Sequence, residues 1–424
     1  MGSRNSSRPR ALVGVVIILA LLASLSGAAY AQPPAPSANV TVVATGLNNP
    51  RGLTFGPDGA LYVAEGGVGG STSVVGICEQ VPPPIGPYTG GKTARISKIA
   101  SDGTRTTVVE NLPSSQTSAP SGGLVSGVAD VAFVGDTLYG LLSGAGCSHG
   151  VPDEPNGVIK VNRDGTSALV ADLSAFVRTH PVAKPNPGDF EPDETSYDMV
   201  EVGAKLYVVE PNHGALDEVT PGGEIRRVLD ISASQGHIVP TAVAFHDGNF
   251  YVGNLNTFPV QPGSSNIYKI TPSGQIDVFA RGVTTVLGIA FDGQGRLYAL
   301  ESDTTPGLPG PTAAGSGQVV RMTASGTFEP VATGLTFPTA MTIGPDGKLY
   351  VSNFGFGLPP GMGQIVRIDV NAPLSAPPSA APPSKPARLP TTGGADFPWM
   401  ALALAALILL CAGWWLRRAR AGLI

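Results

Sequence analysis

Acceptor oxygens recur at one position of a repeated sequence phrase, where they could bind a cation or a polar ligand. Each phrase is an apolar stretch, a Gly/Asp turn and a second apolar stretch with a Tyr. In five of six copies the second stretch ends in an acidic or amide residue: Glu65, Glu210, Asn254, Glu301 and Asn353. Two more carboxylates, Asp130 and Asp198, stand near the start of the first apolar stretch, at a position where the other copies have Gly or Ala. Hard cations such as Ca²⁺ prefer these oxygens, so we predict a ligand site here, with Ca²⁺ as one candidate.

Four of the five histidines fall in or near the long segments between these phrases: His149, His180, His213 and His237. Loops on a rigid scaffold commonly carry function. We therefore expect the site on the face where these loops meet the acceptor oxygens. The alternative is that the polar residues bind only water or one another.

The elements that must position these residues are short strands. The six phrases begin at Arg51, Ala129, Tyr197, Thr241, Leu287 and Thr339. Each reads as a β-hairpin, and each is followed by a third short strand, such as "ARISKI" from Ala94. Only five fourth strands follow, the last of them "TFEPVATGL" from Thr327.

The missing fourth strand stands before the first hairpin, as "NVTVVATGL" from Asn39. Paired with the last blade, it would close a ring without a free sheet edge. We therefore predict an all-β, six-bladed β-propeller of four-stranded blades over residues 37–371, its last blade closed by the N-terminal strand. A β-sandwich would lack the six-fold repeat, and a parallel β-helix would lack the hairpin turns.

The pattern from Pro50 to Glu65 resembles the NHL-type six-bladed propellers. The region from Asn39 to Val370, with its Gly-rich insertion around Cys78, resembles the secreted ScyD/ScyE family named after the scytonemin gene cluster. The resemblance implies a propeller fold and an exported location. It supplies no catalytic residues.

Two classes of enzyme with a similar fold require particular residue types at particular positions of the repeat. Lactonases of the gluconolactonase type hold their metal with carboxylate and amide ligands just before the first strand's Gly. The matching residues here are the six phrase starts given above, and none of them is acidic or amide. Pyrroloquinoline-quinone sugar dehydrogenases need a catalytic His and basic residues, and the spacing of the histidines singles none out.

A formally complete phosphate-binding pattern, "GPYTGGKT", runs from Gly86 to Thr93. Such a loop needs a strand before it and a helix after it. Here "VPPP" precedes it and a predicted strand follows. The pattern therefore does not predict nucleotide binding.

The two ends predict export and anchoring. Residues 1–31 have the charged, apolar and small-residue order of a signal peptide. Residues 389–424 combine an apolar stretch of membrane-spanning length, a basic tail and a preceding pentapeptide. This order resembles a bacterial cell-wall sorting signal cut by a sortase, and the pentapeptide is Leu389, Pro390, Thr391, Thr392 and Gly393. A plain C-terminal transmembrane helix, placing the chain in the membrane, is the alternative.

Between propeller and anchor, residues 372–388 are rich in Pro, Ala and Ser and predict an extended stalk. Without both ends, Lys and Arg number 20 and Asp and Glu 30, a net charge of −10. This acidity argues against a nucleic-acid partner. Cys78 and Cys147 are candidates for one disulfide, with two free thiols as the alternative.

The sequence therefore favours a surface-anchored binding or display module, whose loop-rich face contacts an unknown extracellular ligand or protein. The alternative is an extracellular enzyme, a hydrolase or a quinoprotein-type sugar dehydrogenase, with its site at the channel mouth.

Overall fold

The computed structural model describes residues 35–305 and 313–375. Six antiparallel sheets follow one another around a ring, and each is one blade of a β-propeller. The strand β1 (Val40–Leu47) precedes blade 1. Blade 1 contains β2 (Pro50–Phe55), β3 (Leu61–Glu65), β4 (Thr72–Ser73), β5 (Thr89–Ile99), β6 (Arg105–Gln116) and β7 (Val125–Ser126).

The next four blades each contain four strands in chain order. Blade 2 has β8 (Val128–Val134), β9 (Thr137–Leu142), β10 (Gly157–Val161) and β11 (Ser167–Asp172). Blade 3 has β12 (Asp198–Val202), β13 (Lys205–Glu210), β14 (Ala215–Val219) and β15 (Ile225–Asp230). Blade 4 has β16 (Pro240–His246), β17 (Asn249–Asn254), β18 (Ser265–Ile270) and β19 (Ile276–Val283). Blade 5 has β20 (Val286–Phe291), β21 (Leu297–Glu301), β22 (Gly317–Met322) and β23 (Phe328–Leu335).

Blade 6 takes its strands from both ends of the propeller. It contains β24 (Ala340–Ile343), β25 (Leu349–Asn353) and β26 (Gly363–Ile368), and β1 pairs with β26 from Val40↔Ile368 to Leu47↔Gly363. The N-terminal strand is therefore the outer strand of the last blade, as the sequence predicts. Because β1 supplies that strand, the first and last blades close the ring.

Blade 1 departs from the predicted four strands, because its insertion extends the sheet to six. The strand β5 begins at Thr89, five residues before the predicted start at Ala94, and this extension pairs with β4 and with the end of β6. Its glycines allow close approach: a Cβ on Gly90 would lie 2.3 Å from the His149 carbonyl oxygen of blade 2. The last five residues of the segment that resembles a phosphate-binding loop, Thr89 to Thr93, therefore belong to a strand.

Aromatic pairs from the repeated phrase pack between adjacent blades. Phe55 of blade 1 lies edge-on to Tyr350 of blade 6, with ring centroids 4.9 Å apart. Phe133 of blade 2 contacts Tyr62 of blade 1 at the same centroid distance. The apolar core is correspondingly divided into clusters between neighbouring sheets. Packing between neighbouring sheets explains why every copy of the phrase keeps its Tyr.

Short helices lie in the connections on the loop-rich face. They are α1 (Leu173–Thr179), α2 (Ile231–Gln235) and the 3₁₀ turns Ala119–Ser121, Cys147–His149 and Pro187–Asp189. Both α-helices begin at an aspartate cap, because Asp172 and Asp230 each accept a hydrogen bond from a first-turn backbone N–H.

A disulfide between Cys78 and Cys147 joins the blade 1 insertion to the turn after β9, with the Cα atoms 5.9 Å apart. Within residues 35–305 and 313–375, no helix has the length and hydropathy needed to cross a membrane. The predicted signal peptide, sorting pentapeptide and transmembrane helix lie outside the described residues, as does most of the predicted stalk.

Candidate functional site

Three of the predicted acceptor residues hold the linkers between blades. Each is the last residue of a second strand, and each accepts a hydrogen bond from a backbone N–H of the linker that enters its blade. The Asn48 N–H donates to Glu65 at 2.6 Å, the Thr284 N–H to Glu301 at 2.5 Å, and the Thr336 N–H to Asn353 at 2.9 Å. All three acceptors are buried. Their position in the repeat is therefore explained by the fold, since buried linker N–H groups need partners.

Asn254 has a related structural role in blade 4. Its amide donates to the Ile238 carbonyl at 2.8 Å and accepts from the Asn266 N–H at 2.7 Å. Glu210 of blade 3 differs, because it accepts from the N–H groups of the turn that follows it, at Asn212 and His213. Single buried hydroxyls without a partner lie beside Glu301 and Asn353, at Ser302 and Thr336, whereas the surroundings of Glu210 contain further acids and histidines.

These surroundings form a cluster of acids and histidines on the loop-rich face. We define the blade 3 cluster by six residues: Asp189, Glu191, Glu194, Glu210, His213 and His237. His237 Nε2 lies 2.8 Å from Asp189 Oδ2, and His213 Nδ1 lies 3.2 Å from Glu210 Oε2. Glu191, Glu194 and Glu210 are buried, whereas the other three are partly exposed. The cluster thus has a buried acidic floor and an accessible rim.

Four buried polar atoms of this cluster make no hydrogen bond within the described residues. Two of them face an ion-pair partner: Glu191 Oε2 lies 3.3 Å from His149 Nε2, and His213 Nδ1 lies 3.2 Å from Glu210 Oε2. The other two, Glu194 Oε1 and His237 Nδ1, have no polar partner. An unpaired polar atom in a buried position is costly, so the partly exposed His237 at the rim is the favoured contact for a ligand.

The carboxyl groups of the cluster differ in the direction of their pKa shifts. Burial, reinforced by the Glu210 charge, raises the pKa of Glu194 well above its usual range. Burial also acts to raise the pKa of Glu210, but the His213 imidazole and the turn N–H groups outweigh it, and the net pKa is lowered. Burial acts to lower the pKa of His213, but Glu210 reverses this and the net pKa is raised. Glu194 therefore keeps its proton to a higher pH than Glu210 does.

His149 belongs to a sealed chain of contacts beside the cluster. Ser115 Oγ lies 2.9 Å from His149 Nδ1, and His149 Nε2 lies 3.3 Å from Glu191 Oε2. The Tyr88 hydroxyl donates to Glu191 Oε1 at 3.1 Å. The order resembles a Ser–His–acid triad, but all four side chains are buried, so no substrate reaches Ser115. The chain of contacts instead joins blades 1 and 2 to the segment before blade 3.

The structure does not bring His180 into the cluster. Its ring stacks on Phe176 with centroids 4.2 Å apart, and Arg227 covers the same Phe176 ring. The sequence interpretation instead missed Asp189, Glu191 and Glu194. The signal was present as "GDFEPDE", an acid-rich stretch from Gly188 to Glu194.

Asp130 and Asp198 lie apart from the cluster, in the central channel. The first strands of all six blades surround a cavity of about 400 Å³ there, and both aspartates line it. Asp130 accepts from the Val131 and Met199 N–H groups at 2.8 Å, and Asp198 accepts from Met199 at 2.9 Å and Val243 at 2.7 Å. The two carboxyl groups thus connect the inner strands of blades 2, 3 and 4.

Two of the positions that would hold a lactonase metal are hydrogen-bonded to each other in the fold. They are Tyr197 and Thr339, which are bonded across the channel. No group of three His, Cys, Asp or Glu residues in the described ranges has the arrangement needed to hold a metal ion. Ca²⁺ binding at the carboxylate and amide acceptors stays a prediction. A quinone cofactor would need basic residues, but the blade 3 cluster surrounds its histidines with carboxyl groups, so these residues do not fit that cofactor.

The fold and the site together define a six-bladed β-propeller with an acid–histidine cluster on its loop-rich face. The sequence matches no protein-family model, and no curated protein is significantly similar to it. Resemblance to the ScyD/ScyE family therefore stays a prediction.

Solved structures with a similar fold share little sequence with this chain. A protein of unknown function from Bacteroides thetaiotaomicron is 12% identical with a TM-score of 0.49, covering 79% of this chain and 76% of that chain. A gluconolactonase from Xanthomonas campestris is 11% identical with a TM-score of 0.45, covering 80% and 95%. A catalytically inactive virginiamycin B lyase from Staphylococcus aureus, solved with quinupristin, is 14% identical with a TM-score of 0.42, covering 76% and 96%. We transfer no substrate or activity from them.

Proposed function

We propose that this protein is a binding module that recognises a hydroxyl-rich ligand, such as a saccharide, through its loop-rich face. The observation that supports this is the pair of polar atoms without a partner in the blade 3 cluster, His237 Nδ1 at the rim and Glu194 Oε1 at the floor. A protonated carboxyl group and a neutral imidazole each donate and accept hydrogen bonds. Hydroxyl groups do the same, so they can pair with every open atom of the cluster.

The proposal places binding at the cluster and leaves the other strand-end acceptors to the fold. Glu65, Glu301 and Asn353 already accept linker N–H groups. The rim residues Asp189 and Asn212 are held by a mutual hydrogen bond at 3.1 Å, which orders the entrance. A preordered rim reduces the entropy cost of binding.

Titration of soluble oligosaccharides into the full-length protein, followed by calorimetry, tests this proposal. We expect one or more to bind, and His237→Gln to weaken binding about tenfold, as loss of a well-placed polar contact at the partly exposed rim does. Glu154→Gln is the matched control, because Glu154 is exposed on the same face and pairs with Lys92. Equal affinity of both variants for a ligand that the wild type binds would exclude the cluster as its site.

A second candidate function is acid–base catalysis, and the His237–Asp189 pair at the partly exposed rim favours it. His237 Nε2 lies 2.8 Å from Asp189 Oδ2, and a carboxylate beside an imidazole orients it for proton transfer. Chromogenic glycosides and lactones provide the assay. We expect His237→Gln to abolish any turnover that Glu154→Gln retains; turnover by His237→Gln would assign it elsewhere.

We also propose that the propeller is displayed outside the cell through its C-terminal segment. The sorting-type pentapeptide and apolar stretch support this, as does a disulfide, which forms in oxidising compartments. Thr392→Ala should move the protein out of the cell-wall fraction if a sortase processes it. Thr391→Ala is the control, since Thr391 occupies the variable position. Recovery of both variants and the wild type in the membrane fraction would indicate a retained helix instead.

A further inference from the structure

The acid-rich stretch from Gly188 to Glu194, which we call the acid segment, supplies half of the blade 3 cluster. The residues it contributes are Asp189, Glu191 and Glu194. Apart from the 3₁₀ turn Pro187–Asp189, the segment has no regular secondary structure. Its position therefore depends on contacts with neighbouring segments, and several of these come from the connections around blade 2.

The 3₁₀ turn Cys147–His149, which follows β9, holds the acid segment at two residues. The N–H and the hydroxyl of Ser148 both donate to Asp193 Oδ2 at 2.7 Å. The next residue, His149, places its Nε2 3.3 Å from Glu191 Oε2. Ser148 and His149 are fully buried, so these contacts are shielded from water. The turn therefore positions the acid segment.

Close packing joins the turn and the acid segment further. Residue 146 is Gly with a φ of 97°, and a Cβ there would lie 2.5 Å from the Asp193 Cβ. Asn156 connects the two segments, because its side-chain oxygen accepts from the Ala145 N–H and its amide donates to the Glu194 carbonyl, both at 2.7 Å. A displacement of the turn is therefore transmitted to the acid segment.

The disulfide between Cys78 and Cys147 ties the first residue of this turn to the blade 1 insertion. Both cysteines are partly exposed, whereas Ser148 and His149 are buried. Ile77, next to Cys78, is 78% exposed, so the disulfide lies close to solvent. A dissolved reductant can therefore reach the sulfur atoms, while the contacts that depend on the disulfide lie inside the protein.

We propose that this disulfide regulates the blade 3 cluster: its reduction releases the turn, loosens the acid segment and weakens ligand binding. The inference rests on the proposed function, because it assigns regulation to the same site. A dithiol reductant supplies two electrons and two protons, so the S–S bond breaks, Cys78 and Cys147 become thiols, and the dithiol closes into a cyclic disulfide. The propeller stays folded, since strand pairing closes the ring.

Amide hydrogen exchange of the full-length protein, oxidised and after treatment with dithiothreitol, tests the inference without a ligand. We expect exchange at residues 188–196 to become at least about tenfold faster on reduction, because the segment loses tertiary contacts. Residues 317–322 in β22 of blade 5 are the control and should not change. Faster exchange confined to the blade 1 insertion, residues 66–88, would overturn the inference. Faster exchange throughout the propeller would also overturn it, because the disulfide would then stabilise the whole fold.

Ser148→Ala separates the positioning role from a general effect on stability. This variant keeps the disulfide and removes the hydroxyl that donates to Asp193. We expect faster exchange at residues 188–196 in the oxidised variant, and a smaller further increase on reduction than in the wild type, because both changes act through one set of contacts. Ser302→Ala is the matched control, since Ser302 is also fully buried and its hydroxyl has no partner among the described residues. Equal increases on reduction in Ser148→Ala and the wild type would contradict the shared route.

Calorimetric titration with an oligosaccharide that binds the oxidised wild type measures the effect at the site. We expect reduction to weaken binding at least about tenfold. The double variant Cys78→Ala and Cys147→Ala should bind as the reduced wild type does, with or without dithiothreitol. Unchanged affinity after reduction would overturn the regulation. Absence of oligosaccharide binding in both states would count against the proposed function alone, and hydrogen exchange would then decide whether the disulfide controls the acid segment.

Discussion

At the scale of single residues, Glu65 is an anchor for blade 1. Its buried carboxylate accepts from Arg95 Nε at 2.7 Å, Ser97 Oγ at 2.5 Å and the linker N–H of Asn48. Arg105 approaches the same carboxylate at 3.2 Å. Without the Glu65 carboxylate, the partly buried Arg95 would lose its partner. An unpaired buried charge lowers the stability of the fold.

We expect Glu65→Ala to lower the free energy of unfolding by about 3 kcal/mol, toward the lower end for breaking a buried ion pair because Arg95 keeps some solvent contact. Urea denaturation measures the change. Glu154→Ala, which breaks an exposed pair, should change it by less than about 1 kcal/mol. A loss of similar size in both variants would contradict the anchoring role.

The channel aspartates should make the protein less stable as the pH rises. Burial, with the Asp198 charge, raises the pKa of Asp130 well above its usual range, and burial also raises the pKa of Asp198. The pair titrates as a unit. Its contribution is fully present below the unfolded pKa of about 3.9 and is lost as the pH rises through the raised folded pKa.

Asp130→Asn cannot ionise at this position, so its stability relative to the wild type should improve between about pH 4 and pH 8. Urea denaturation of both proteins across this range provides the measurement. Groups with lowered pKa values, such as Asp230 and Asp292, make the protein more stable as the pH rises. They contribute equally to both proteins, so their effect cancels in the difference. A difference that stays constant with pH would show that the pair is not held protonated.

At the scale of elements, β1 connects the N-terminal segment to the core. Leu47 at its end is fully buried and packs in a cluster with Leu53, Val63 and Ile365. Val42, in the same strand, is 48% exposed. Leu47→Ala should cost about 2–5 kcal/mol of unfolding free energy, whereas Val42→Ala should cost less than about 1 kcal/mol. Thermal and urea unfolding compare them, and equal costs would contradict the packing of β1.

The strands could be predicted well from the sequence, because hydrophobic alternation and turn residues are local signals. The five second strands with a predicted acceptor all end at that residue, from Glu65 to Asn353. The extension of β5 and the added strands β4 and β7 were missed. The β5 extension packs Gly90 closely against blade 2, and β4 and β7 pair with β5 and β6. A contact with a distant segment leaves no local pattern.

At the scale of the whole molecule, ring closure depends on a strand from the other end of the chain. Removal of residues 39–47 should leave β26 with an unpaired edge, and an exposed edge promotes association between chains. We expect a lower melting temperature and concentration-dependent aggregation, measured by calorimetry and light scattering. Val42→Ala, which keeps the strand, is the control. An unchanged melting temperature in a monomeric deletion variant would contradict closure by β1.

The sequence by itself determined the number of blades, the strand order and the closing strand, because each follows from a repeat with a short period. It also identified the acceptor residues, but their roles depended on their neighbours. Only the tertiary structure shows that Glu65, Glu301 and Asn353 hold linkers, that Glu210 joins Glu194 and His213, and that Asp130 and Asp198 line a bridged channel. Hydrogen-bond partners, burial and pKa shifts arise from residues far apart in the chain, and only folding brings those residues together.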